Sequence, residues 1–247
     1  RNTGMKHFDL FSGIGGFALA AGWSGIETVA FCENNDFCRD VLRKHWPGRP
    51  VYKDVKEVNG EQLQSDGISA DVITGGFPCQ PYSVAGDRRG KGDDRHLWPE
   101  MLRIIREMEP SWVIGENVRG IIDMELDQVL SDLEDSGYSC GAFIIPACAV
   151  DAPHRRERVW IVADSNGKGL QVSEQKEQKR ENWKLERSGS RGLGGWPPES
   201  GILRVSHGIP QRVDRLKSLG NAVVPHIPYL IFEAIKDVES KRLEISN

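Results

Sequence analysis

Long apolar runs are missing from this 247-residue chain. No stretch approaches the roughly 18 consecutive apolar residues that crossing a bilayer requires, so no membrane span is expected. The start of the chain lacks the charged, apolar and small-residue zones of a secretory signal. The four residues ahead of Met5 are left out of the fold argument. Cysteine is scarce: there are five, at positions 32, 38, 79, 140 and 148, and no two have CxxC spacing. An odd count without that spacing argues against a disulfide framework and against a zinc site, and it fits a reducing cytoplasm. Cys32, Cys38, Cys140 and Cys148 read as small buried apolar residues. Surplus positive charge is lacking too, since the formal net charge is −4. The distribution matters more than that total. Residues 165–217 carry 11 Lys or Arg against 6 Asp or Glu, a local +5 that leaves −9 on the rest. An acidic body with one basic segment can still bind a polyanion through that segment.

What the chain does have is an alternation of short apolar runs with helical periodicity over its first 163 residues. The runs KHFDLF (6–11), ETVAFCE (27–33), ADVITGG (70–76) and SWVIGEN (111–117) read as buried strands ending in polar or glycine residues. YSCGAFIIPA (138–147) and RVWIVAD (158–164) add two late strands. Helices are predicted from GGFALAAG and NDFCRDVLRKHW, and from two stripes: Leu97, Met101, Ile104, Ile105 and Met108, then Leu126, Val129, Leu130 and Leu133. Such alternation predicts an α/β fold with a mostly parallel sheet and helices on both faces. After residue 164 the chain turns polar, charged and glycine-rich, as a solvated insertion would. A final stripe of Ile227, Leu230, Ile231, Ala234, Ile235 and Val238 predicts a closing helix that packs back on the first domain. Pro228 falls in its first turn, where proline is tolerated. The expected divisions are therefore 1–163, 164–215 and 216–247.

Five short stretches carry chemistry. DLFSGIGGF (9–17) joins a strand to a helix, with Gly13, Gly15 and Gly16 in a turn that lets the backbone bend and approach a ligand. Glu33 closes the next strand, where an acid can accept both hydroxyls of a ribose. The spacing is not GxGxxG, so a nucleoside cofactor without pyrophosphate fits better than a dinucleotide. GGFPCQPYS (75–83) holds Cys79 between Pro78 and Pro81. The prolines restrict the backbone, so the sulfur is kept in place, as a nucleophile requires. GENV (115–118) puts Glu116 at another strand end, and Asn117 there could equally cap a helix. HRRERVW (154–160) would send Arg156 and Arg158 to one strand face and Arg155 and Glu157 to the other. SLGNAVVP (218–225) reads as a turn before the last helix.

Taken in this order, DLFSGIGGF, Glu33, Asp54, GGFPCQPYS, ENV, RRERV and GNAVVP, the chain resembles the cytosine-C5 DNA methyltransferases over residues 9–225. The resemblance implies a Rossmann-like fold that uses S-adenosyl-L-methionine and releases S-adenosyl-L-homocysteine, with no metal. Phe11, Ser12, Gly13, Ile14 and Gly16 would line the cofactor, with Phe11 against the adenine or sulfonium. Glu33, with Asn34 beside it, would hold the ribose. Asp54 would meet the adenine amino group, and Val55 would pack on the ring. Pro78 would border the methyl group, and Asn221 and Ala222 would close the methionine end. Cys79 would add to C6 of a cytosine flipped out of its duplex, while Glu116 would bind N3 and the exocyclic amine. Arg158, with Arg156 near it, would hold O2. Gln80, Ser83, Arg88, Arg89 and Lys91 would meet DNA from a loop closing over the base.

Residues 164–215 fall where the family places its target-recognition region, and about 50 residues is short for one. His154 stands where glutamine is common in the family, and Ala222 where a small polar residue is common. Expected partners are double-stranded DNA and a separately acting restriction endonuclease, in a restriction-modification or phage self-protection setting. The expected enzyme is cytoplasmic and monomeric. Three readings compete. A tRNA cytosine-C5 methyltransferase shares most of these motifs. A non-catalytic DNA-binding relative is opposed by the intact Cys79, Glu116 and Arg158. A nicotinamide dehydrogenase is opposed by the absence of a pyrophosphate site.

Overall fold

The computed structural model describes residues 4–78, 96–166 and 212–245. One seven-stranded sheet organises them: β1 (Lys6–Leu10), β2 (Glu27–Cys32), β3 (Val51–Tyr52), β4 (Val72–Gly75), β5 (Trp112–Val118), β6 (Ser139–Pro146) and β7 (Glu157–Asp164). The order across the sheet is β3-β2-β1-β4-β5-β7-β6. The first five strands run parallel, and β7 is antiparallel to both β5 and β6. The central strands β1, β2, β4 and β5 are almost wholly buried. Helices cover both sides of them, which is why their apolar runs are continuous rather than alternating.

The helices are α1 (Gly16–Trp23), α2 (Asp36–His45), α3 (Gly60–Ser65), α4 (Trp98–Met108), α5 (Ile121–Met124), α6 (Leu126–Asp135), α7 (Arg212–Asn221) and α8 (His226–Ile245). One sheet face packs Phe8, Leu10, Ile73 and Val113 against Met101, Ile104 and Ile105 of α4 and Val129 and Leu133 of α6. The other packs Val72, Trp112, Ile114 and Trp160 against Phe17, Ala20 and Ala21 of α1 and Phe232 and Ile235 of α8. Burying one large side chain contributes roughly 1.5–3 kcal/mol, so these two layers dominate the stabilisation.

Local signals explain several boundaries. The Asn35 side chain accepts the Cys38 N–H at 3.0 Å and starts α2, whose last turn carries Arg43, Lys44 and His45 against the helix dipole. Gly15 precedes α1 in the left-handed region, φ 85°. A Cβ there would lie 2.5 Å from the Trp46 ring, and one on Gly16 2.6 Å from Val223 Cγ2. The missing side chains at these two glycines make room for Trp46 and Val223.

Three expectations need correcting. Residues 218–221 belong to α7, so the connection before the last helix is only 222–225. The α8 stripe is rotated: Leu230 is 49% exposed, whereas Phe232 is fully buried. The buried face is completed by polar groups, because Glu239 accepts the Trp112 Nε1–H at 2.9 Å and Arg242 pairs with buried Asp164. Apolar periodicity alone misses a helix face held partly by ion pairs. Cys148 is exposed on a 3₁₀ turn, Ala147–Val150, while Cys32 and Cys38 are buried as expected and Cys140 is partly buried. The short elements β3, α3 and α5 have no clear signature in the sequence.

Candidate active site

The parallel part of the sheet changes direction at β1, which pairs with β2 on one side and β4 on the other. A crevice opens outside the carboxyl ends of strands at such a switch point. Here a cavity of about 440 Å³ lies there. Phe11, Gly13, Glu33, Asn34, Asn35 and Cys38 line one end, and Lys217, Ser218, Gly220 and Asn221 line it from α7. Gly76, Phe77, Pro78, Glu116, Asn117, Val118, Arg156 and Arg158 line the other end.

The first end is built on backbone amides. Glu33 directly follows β2 and is 9% exposed. Its Oε2 accepts the Gly13 N–H at 2.7 Å and its Oε1 accepts the Asn35 N–H at 2.8 Å. Both oxygens are thus held in place, with acceptor capacity left over for a diol. The same bond occupies Gly13 N–H, and the carboxylate would repel a phosphate. This is the physical reason a dinucleotide pyrophosphate has no seat on this turn. Phe11 is held at φ 52°, a costly conformation for a bulky residue. Ser12 is buried, and its hydroxyl donates to the Asp9 carbonyl at 2.6 Å, pinning the turn.

The second end is built on side chains. Because β7 runs antiparallel, its beginning lies beside the end of β5, with Val118 opposite Arg158. Glu116 and Arg158 therefore meet, Nε to Oε1, at 2.9 Å. Burial raises the Glu116 carboxyl above its ordinary range, and the charges of Arg158 and Arg156 offset this only in part. Arg156 has φ 29° and donates from Nη2 to the Ala222 carbonyl at 3.1 Å. That bond ties the segment entering β7 to the connection between α7 and α8.

Asn117 is a residue whose role the sequence leaves obscure. It lies within β5 and caps no helix. Its Nδ2 donates to the Phe77 carbonyl at 3.0 Å, and its Oδ1 accepts the Val118 N–H at 2.8 Å. It holds the backbone two residues ahead of Cys79. No periodicity announces such a bond.

The structure thus brings together Phe11, Gly13, Glu33, Asn34, Pro78, Glu116, Arg156, Arg158 and Asn221 around one cavity. Ser12, Ile14, Gly16, Asp54, Val55 and Ala222 do not line it. Asp54 Oδ1 accepts the Lys56 N–H at 2.9 Å, and Val55 is 4% exposed and sits in the core. Cys79, Gln80, Ser83, Arg88, Arg89 and Lys91 lie outside the described residues, as does 167–211. Among the remaining cysteines, burial pushes the Cys32 thiol up to about 12 and Cys140 up to about 11, the opposite of activation.

A parallel sheet with a carboxyl-edge crevice, an acid on the second strand and an antiparallel β7 defines the Rossmann-like class of S-adenosylmethionine-dependent methyltransferases. Solved structures agree on the fold. Spodoptera frugiperda DNMT2 superposes with TM-score 0.57 at 22% identity, over 66% of this chain and 51% of that one. The family follows from sequence: the model for C-5 cytosine-specific DNA methylase matches residues 5–192, and the chain belongs to that family. It is 30% identical to the Type II methyltransferase M.HhaI of Haemophilus parahaemolyticus over 174 residues, 68% of this chain and 52% of that protein. It is also 30% identical to the Type II methyltransferase M.AquIA of a Picosynechococcus strain over 187 residues, 68% of this chain and 75% of that protein. The chain spans about half the length of M.HhaI, and its match to M.HgiBI of Herpetosiphon aurantiacus covers 37% of that protein.

Proposed function

We propose that this chain is a DNA (cytosine-5-)-methyltransferase that works through a covalent adduct between Cys79 and C6 of cytosine. The observation that carries this reading is the buried Glu116–Arg158 pair standing at one end of the cavity that Glu33 closes at the other. The donor set fits S-adenosyl-L-methionine: Glu33 for the ribose diol, Phe11 and Pro78 as apolar wall, Asn221 at the far end. When bound, that cofactor supplies an electrophilic methyl group.

The protein's own part is to make C5 nucleophilic. The Cys79 thiolate adds to C6, and the electrons of the C5–C6 double bond shift into the ring. Glu116, whose carboxyl burial raises above its ordinary range, donates to N3 and accepts from the exocyclic amine. Arg158 stabilises the charge that grows on O2. After C5 is methylated, loss of its proton restores the double bond and expels the Cys79 sulfur. C6 is inaccessible inside a stacked duplex, so the cytosine must be extruded into the cavity. Asp54 and Val55 complete the adenine end in this reading, with Ser12, Ile14, Gly16 and Ala222 supporting the cofactor. Gln80, Ser83, Arg88, Arg89 and Lys91 meet DNA. Residues 164–215 serve as the recognition region, and 216–247 return to the catalytic body. Double-stranded DNA is the substrate of a cytoplasmic monomer, and a cognate endonuclease acts separately.

The test is trapping. A duplex carrying 5-fluorocytosine has no C5 proton to lose, so a working enzyme stays bound through Cys79. With a labelled methyl donor we expect a denaturation-resistant adduct and label in DNA. No adduct, or label in tRNA alone, overturns the reading.

A further inference from the structure

One charged cluster at the same sheet edge is not used by this mechanism. Arg119 follows β5, Glu157 opens β7 one step beyond the Val118–Arg158 pair of the ladder, and Arg155 lies two residues ahead of that strand. Arg119 Nη1 meets Glu157 Oε2 at 2.9 Å, and Arg155 Nη2 meets Glu157 Oε1 at 2.7 Å. The Arg119 and Arg155 side chains are 64% and 80% exposed, whereas Glu157 is 22% exposed. One carboxylate thus fastens two guanidinium forks side by side and leaves most of their N–H groups facing water.

Fold stability does not account for this arrangement, because exposed ion pairs contribute little to it. Arginine forks already paired beside the adjoining ends of β5 and β7 suit bidentate contact with phosphate oxygens. The trio carries a net positive charge beside the cavity that Arg156, Arg158 and Val118 line. We infer that Arg119 and Arg155 form a phosphate clamp for the DNA backbone next to the extruded cytosine, with the Glu157 carboxylate as the internal counter-ion that phosphate displaces. This rests on the proposed methyltransferase reading.

The experiment measures duplex binding by fluorescence anisotropy between about 50 and 200 mM salt for the full chain and three variants. S-adenosylhomocysteine is present throughout, and its own affinity is measured for each variant. Arg119→Gln and Arg155→Gln should each weaken binding several-fold and make the slope of log affinity against log salt shallower by about 0.9. Glu157→Gln removes a negative charge from the phosphate path and should tighten binding. That variant separates the two explanations, since it breaks the same ion pairs. If the arginines only hold the β5–β7 corner, Glu157→Gln weakens binding in parallel with them, and the clamp is overturned. Unchanged slopes with normal 5-fluorocytosine adduct formation also overturn the clamp and leave the methyltransferase reading standing. Absence of both DNA binding and adduct overturns both.

Discussion

Two glutamates stand at strand ends on the same cavity, and the structure treats them differently. Glu33 is gripped by the amides of Gly13 and Asn35, groups that cannot move or titrate. Glu116 is met by the guanidinium of Arg158 and is desolvated enough that its carboxyl is raised. An acid fixed by backbone amides is a static acceptor, suited to hydroxyl donors. An acid balanced between burial and a movable cation can hold or release a proton, as chemistry at a pyrimidine N3 requires. In the proposed reading the same residue type serves binding at one end and proton transfer at the other.

The comparison can be broken by substitution. Cys79→Ser, which removes the nucleophile that the Glu116 end serves, should lower methyl transfer on the order of 10³-fold or more while S-adenosylhomocysteine still binds. Glu116→Gln keeps the shape but loses the titrating proton. It should slow adduct formation by about 10²–10³-fold and change DNA affinity little, in a single-turnover assay. Because the Glu116 carboxyl is raised, its protonated form is lost as pH rises through the folded pKa. Thiolate gains on the same rise, so the single-turnover rate of the intact chain should pass through a maximum. Glu33→Ala should weaken cofactor binding roughly 10- to 100-fold by calorimetry, the cost of losing a charged double acceptor. Unchanged affinity there would count against the ribose assignment. Asn117→Asp replaces the donor to the Phe77 carbonyl by an acceptor. It should reduce turnover about tenfold by shifting the Phe77 backbone that leads into Cys79, with cofactor affinity preserved.

A gentler test concerns the floor beneath the Glu33 end. His7 contacts Thr28 Oγ1 at 2.9 Å and Thr74 Oγ1 at 2.7 Å, and Thr74 donates to Asp9 Oδ1 at 2.9 Å, all buried. Burial lowers His7 to about 3 and raises Asp9 to about 8. Unfolded Asp9 loses its proton near pH 4 while the folded form keeps it until about 8, so its share of stability falls as pH rises through that window. Unfolded His7 gains a proton below about 6.5, so its share falls as pH drops from there toward 3. The two slopes cancel between about 4 and 6.5, leaving only the Asp9 limb above, at most about 1.4 kcal/mol per pH unit. Urea unfolding against pH should show that limb, and Asp9→Asn should flatten it.

Much of the fold was legible because parallel strands buried on both faces write continuous apolar runs. Val29 to Cys32 and Trp112 to Gly115 are of this kind, and Phe8 to Leu10 and Val72 to Gly75 are interrupted only by the buried Asp9 and Thr74. The α8 face differs from the apolar stripe because half-buried Glu239 and Arg242 pack on the sheet through polar contacts that hydropathy assigns to solvent. Asn117 looked like a cap because asparagine often is one, and its partner lies 40 residues away.

The sequence by itself determined which chemistry is present: a glycine turn, an acid after β2, a proline-flanked cysteine, ENV and paired arginines, in an order that marks the family. Those are local patterns, and local backbone preferences are enough to write them. Only the tertiary structure decided who meets whom. The antiparallel entry of β7 sets Arg158 against Glu116, Gly13 spends its amide on Glu33, and Glu157 binds two arginines at once. Such pairings join residues that are distant along the chain or approach from separate strands, and they form because burial selects one sheet register. No periodicity along the chain records that selection.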